Sequence, residues 1–154
     1  MHSYFQIGFF VLITATLFIS CKSKQYTFDT YKGKRLAIGS SGGFTGATIK
    51  YYLFENGQIF KNGKSGREEL PKIDKNVMKQ QFDNYYKLGF DKLEINESGN
   101  MSYFIIMNPD TENMQILKWG GGSVEPGKEL EQYYNLLSAI IKNNSSPNTK
   151  EYTR

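Results

Sequence analysis

The chain has 154 residues, 39% hydrophobic and 22% charged, which fits one globular domain. Eleven Tyr, eleven Phe and one Trp exclude a wholly disordered chain, and 4 Pro with 15 Gly exclude a collagen-like or low-complexity one. A formal charge of +4 points first to nucleic acid, while one Cys excludes a disulfide framework and one His excludes most nucleophilic and metal chemistry.

The first predicted element is an address. Ile7 to Ile19 is apolar apart from Gly8, Thr14 and Thr16, too short for a comfortable bilayer span but matched to the apolar core of a secretory signal. Phe18-Ile19-Ser20-Cys21 then sets a small residue directly before the single cysteine. This arrangement resembles the lipobox of bacterial lipoproteins, although Phe18 and Ile19 depart from the commoner residues there. The resemblance implies cleavage between Ser20 and Cys21, acylation of Cys21, and a membrane partner held through that lipid. One acyl chain binds only marginally and several bind durably, at about 0.8 kcal/mol per buried CH2. The predicted signal peptide is residues 1–20, and the mature chain begins at Cys21.

Residues 21–35 read as a basic tether: Lys22, Lys24, Lys32, Lys34 and Arg35 stand against Asp29 alone. Everything after Arg35 carries 14 bases and 14 acids, so the basic excess belongs to the tether, where it suits anionic headgroups. A nucleic-acid module needs that excess on a folded face, so no nucleic acid is expected. Lys22-Ser23-Lys24-Gln25 has no immediate Asp and no acidic run. By analogy with lipoprotein sorting, this predicts the outer membrane with the domain facing the periplasm.

Residues 36–142 are expected to form one α+β domain, an antiparallel sheet of about five strands in the order β-β-β-α-β-β-α with two amphipathic helices on one face. Leu36 and Ile38 open the first strand, and Ala47, Ile49, Tyr51 and Leu53 alternate along the second. Asn56-Gly57 predicts a two-residue hairpin that sets Phe54 opposite Ile59 and Leu53 opposite Phe60, after which NGKSGREELP interrupts the pattern. Asp74 is placed to cap a helix bearing Val77, Met78, Phe82, Tyr85 and Tyr86, which Gly89 ends. MSYFIIM and NMQILKW flank a turn at Pro109, and Pro126 opens a last helix with Leu130, Tyr133, Tyr134, Leu137, Ile140 and Ile141 on one face. Residues 143–154 are polar and predicted disordered.

Once His2 is removed and Cys21 acylated, Ser-His-Asp and Cys-His catalysis, His/Cys zinc sites and His-ligated haem have no residues to work with. No catalytic residue, metal or cofactor is expected. The remaining enzymatic option is a carboxylate-based hydrolase using acids among Glu68, Glu69, Asp91, Glu94, Glu97, Asp110 and Glu112. It requires two carboxylates in one concave site. Asp91 to Asn100 lacks the order of a calcium loop, and Gly39 to Gly46 fits no phosphate-binding glycine motif.

The candidate binding loop is Gly42, Gly43, Phe44, Thr45 and Gly46, with Trp119 beside a second glycine-rich segment. Phe44 either projects as a recognition contact or plugs the core, and Trp119 reads first as a core anchor. Gly42 to Gly46 early in the domain, Leu70-Pro71 before a helix, Gly89-Phe90 at its end, then a hairpin and an apolar helix, together resemble emfourin. Emfourin-type proteins are small α+β inhibitors of thermolysin-like metallopeptidases, so the resemblance implies a protease-binding surface. No inhibitory residue carries over individually. The expected role is therefore a lipid-anchored envelope protein with a non-catalytic domain for a protein partner, the emfourin-like inhibitor being the alternative.

Overall fold

The computed structural model describes residues 25–63, 66–122 and 124–145. The predicted signal, Ser20, Cys21, Lys22 to Lys24 and residues 146–154 lie outside that range. The chain divides into two compact units, Met1–Tyr31 and Lys32–Arg154. In the described part of the first, Thr27 and Thr30 close a turn through their hydroxyls, 2.8 Å apart, and the rings of Tyr26 and Tyr31 meet edge to face at 5.4 Å.

The second unit is α+β: one antiparallel six-stranded sheet and two helices. The strands are β1 (Arg35–Gly42), β2 (Ala47–Phe54), β3 (Ile59–Gly63), β4 (Gly66–Leu70), β5 (Met101–Met107) and β6 (Gln115–Trp119), in the sheet order β4-β3-β2-β1-β5-β6. The helices are α1 (Lys75–Lys87) and α2 (Lys128–Ser145), and a single 3-10 turn spans Phe90–Lys92. Pro126 lies just before α2 rather than in its first turn, and the helix runs three residues past 142.

Period-two alternation in the strands and 3–4 spacing in the helices build one core. Leu36, Ile38, Leu53, Ile59, Ile105, Met107 and Leu117 from the sheet meet Met78, Phe82 and Tyr85 of α1 and Leu130, Tyr133, Leu137 and Ile141 of α2. The Tyr133 hydroxyl donates to the Gln81 carbonyl at 2.9 Å, tying the helices together. Val77 and Tyr86, assigned to the buried stripe from spacing, are exposed instead. Lys34 lies over the Tyr86 ring at 5.0 Å.

Two expectations need correction. The segment after Asn62 is not an interruption, because Gly66–Leu70 pairs with β3 and makes a sixth strand. Its Arg-Glu-Glu content hid it, and charge on an edge strand is a common guard against edge-to-edge pairing. The Asn56-Gly57 hairpin is also shifted by one residue: Leu53 faces Ile59 and Tyr52 faces Phe60. The Gly57 amide donates to the Phe54 carbonyl and the Phe54 amide to the Gln58 carbonyl, both at 2.9 Å. With Gly57 at φ +92°, this is a three-residue loop closed by a glycine bulge rather than a two-residue turn. The Ile73 amide donates to the Gly57 carbonyl at 2.9 Å and holds the bulge.

A one-residue slip reverses every side chain. Here it sends Leu53 and Ile59 to the helix layer and Tyr52 and Phe60 to the opposite face. That opposite face has its own buried set, Ala37, Tyr52, Phe54 and Phe60, with the Phe54 and Phe60 rings 5.0 Å apart. Arg35 lies over Phe54 at 5.2 Å and Lys50 over Tyr52 at 4.6 Å.

Candidate binding surface

The β1–β2 connection turns on glycines because its backbone must go left-handed. Gly42, Gly43 and Gly46 have φ of +106°, +69° and +59°. The Gly43 amide donates to the Asn100 carbonyl at 2.6 Å, and the Gly46 amide to the Gly43 carbonyl at 3.1 Å. At the tip Phe44 is fully exposed (107%), and the core-plug reading of that residue is thereby removed. Thr45 accepts from the Ala47 amide at 3.4 Å.

Trp119 takes the core position. It is 4% exposed, pairs with Tyr103 across β5–β6, and has the Tyr134 ring edge-on at 5.4 Å. Both glycine-rich segments reach the same end of the sheet. Gly42 pairs with Met101, and a Cβ on Gly120 would run into the Met101 carbonyl oxygen.

The register supplies what spacing alone did not. On the helix side of the sheet, Ser40 stands between Ile49 and Tyr103, and Gly42 between Ala47 and Met101. Small residues on the middle strand and larger ones on its neighbours make a shallow trough. Ile49, Met101 and Tyr103 in it are exposed hydrophobics, and Phe44 stands at its end. Sequence reasoning singled out Phe44 but missed Ile49, Met101 and Tyr103. Two strands separated by some fifty residues carry them, so only the pairing shows that they share a patch.

Tyr134 stands between two clefts beside this trough. One, about 530 Å³, opens between α2 and β1–β2 and is lined by Ile38, Ser40, Ile49, Tyr51, Ser138 and Ile141 among others. The Tyr134 hydroxyl donates to the Gly39 carbonyl at 3.2 Å, fixing the ring. Burial raises the pKa of that phenol, a hydrogen bond with Ser138 opposes the shift, and neighbouring Tyr103 adds to it. The second cleft, about 250 Å³, is lined by Tyr103, Trp119, Glu131, Tyr134 and Asn135.

The acidic residues bear on the hydrolase option. Asp91 and Glu94 line one cleft of about 590 Å³ beside β6, together with Lys92. Both are exposed, whereas a glycosidase acid needs an apolar surround to stay protonated. Glu69 instead accepts from the Gln58 side chain at 2.9 Å. Among the described residues no group of three or more His, Cys, Asp or Glu could hold a metal, and no helix is long and apolar enough to cross a membrane. No family model and no curated protein matches the chain.

Proposed function

We propose that this chain is a lipid-anchored protein of the bacterial cell envelope, held through acylated Cys21, whose α+β domain captures a protein partner without catalysing a reaction. The observation that carries the binding part is Phe44. A large aromatic standing entirely in solvent on a glycine-built loop, next to the exposed Ile49, Met101 and Tyr103, suits an interface better than it suits a stable free surface. The anchoring part rests on Ser20-Cys21 at the end of the apolar stretch, and the basic residues that follow favour an anionic membrane surface.

The two parts are tested separately. Cys21→Ser should leave a precursor that retains its signal, seen as a larger band and no lipid label in membrane fractions. Normal processing of that variant would remove the anchor. Crosslinking in intact envelopes, followed by mass spectrometry, should yield a partner with wild-type protein and at least tenfold less of it with Phe44→Ala, as for an interface hot spot. Equal recovery with both would remove the loop from the interface. The likeness to emfourin-type proteins names one kind of partner, and direct assay of a thermolysin-like metallopeptidase with the detergent-solubilised protein decides it. Inhibition lost in Phe44→Ala supports that reading, and full peptidase activity in the presence of excess protein removes it.

A further inference from the structure

Independently of the Phe44 loop, the 250 Å³ cleft has a chemistry of its own. Helix α2 brings Glu131, Tyr134 and Asn135, at i, i+3 and i+4, over the cross-strand pair Tyr103 and Trp119. The Tyr103 and Trp119 rings are inclined by 32° with centroids 6.2 Å apart. Tyr134 is edge-on to both, at 71° and 5.5 Å to Tyr103 and at 84° and 5.4 Å to Trp119. Three rings thus border a space in which, among the described residues, the one charged lining group is the Glu131 carboxylate and no basic side chain takes part. Tyr103 is 38% exposed, so part of its ring is open to a ligand.

Among the described residues, no hydrogen bond or ion pair engages the Glu131 carboxylate, the Asn135 amide or the Tyr103 hydroxyl. The ring faces are electron-rich and attract a cation placed within about 6 Å of a centroid. A primary ammonium has a tight hydration shell that must be stripped before it can lie against the rings. A quaternary ammonium has no donor to satisfy and is held by ring faces and charge alone.

We propose that this cleft is a binding site for a trimethylammonium group, its methyls against Tyr103, Tyr134 and the rim of Trp119 and its charge facing Glu131. The group can arrive on a free compound of the choline type or on a phosphocholine headgroup, and the two differ by a phosphate that Glu131 would repel.

Trp119 is the sole tryptophan, so its emission reports the site directly. The full-length protein in a non-ionic maltoside detergent is titrated with choline and with 3,3-dimethylbutan-1-ol, its uncharged carbon isostere, at constant ionic strength. Choline should give a saturable change in emission, with the alcohol at least about tenfold weaker. Glu131→Gln, at an exposed helix position, should weaken choline about fivefold, and Tyr103→Leu should weaken it at least as much. Phe44→Ala should leave choline binding unchanged. Glycerophosphocholine binding as well as choline assigns the site to headgroups, and markedly weaker binding assigns it to the free compound. The proposal fails if the alcohol matches choline, if Glu131→Gln binds choline like wild type, or if emission shows no saturable change up to tens of millimolar.

Discussion

At single residues, the glycines separate into those that only turn the chain and those that another strand leans on. Gly46 has φ +59° with open space around it, whereas a Cβ on Gly57, at φ +92°, would run into the Ile73 carbonyl oxygen. Gly46→Ala should therefore cost only the left-handed backbone penalty, about 1 kcal/mol. Gly57→Ala should cost about 3 kcal/mol, because the bulge and the strand of chain behind it must both move. Urea unfolding of the two variants checks this, and equal midpoints would contradict the role given to the bulge. Phe44→Ala removes a side chain that buries nothing in the free protein, so its stability should match wild type within about 0.5 kcal/mol. Of the candidate site, the sequence made the glycine-built loop and the core role of Trp119 readable, since glycine clustering and aromatic size are local properties, but it left the exposure of Phe44 open. Ile49, Met101, Tyr103 and Tyr134 were not readable as neighbours, because their proximity depends on strand register and on where α2 crosses the sheet.

At the level of elements, the helices were legible and the turns less so. Asp74 accepts from the Asn76 and Val77 amides at 2.8 and 3.2 Å, and Gly89 adopts φ +73° just past Leu88, as the capping signals at both ends of α1 indicated. Asp74→Ala should lower stability by about 1 kcal/mol, with Asp74→Ser recovering most of it; a null effect in thermal melts would show that α1 is held by packing alone. The register of β2–β3 is not legible locally, because Asn-Gly suits both a two-residue turn and a glycine bulge. What decides between them is a contact with Ile73, sixteen residues away. A further connection has no local signature at all. The Tyr85 hydroxyl donates to Gln115 Oε1 at 2.9 Å, while Gln115 Nε2 donates to the Phe90 carbonyl at 2.9 Å and the Leu93 carbonyl at 3.2 Å. One glutamine on β6 thereby joins α1, the 3-10 turn and the chain that follows it. Tyr85→Phe strands the Gln115 acceptor and should cost about 1–1.5 kcal/mol by urea unfolding.

Across the whole molecule, the buried tyrosines make stability depend on alkaline pH. Burial pushes the phenols of Tyr85 and Tyr133 well above the usual tyrosine range, assisted for Tyr85 by Tyr86 and Asp91 and for Tyr133 by Tyr85. The unfolded chain releases these protons near pH 10 while the folded chain keeps them. The native state then binds more protons, so stability is complete below about pH 10 and falls as pH rises above it. Each such group contributes a slope of about 1.4 kcal/mol per pH unit. Urea midpoints should be flat from pH 8 to 9.5 and drop steeply by pH 11, with the last part of the phenolate absorbance appearing together with unfolding; unchanged midpoints at pH 11 would contradict this burial. The sheet order has a separate consequence, in time rather than in energy. Strands β1 to β4 form a meander that can zip from its turns, but the other edge of β1 pairs with Met101–Met107, some sixty residues later in the chain. Until that segment emerges and closes the long loop, Leu36, Ala37 and Ile38 present an open apolar edge to any neighbouring strand. A nascent or truncated chain that stops before Met101 is thus the aggregation-prone form of this protein, and it is at that stage of synthesis that a chaperone is needed most.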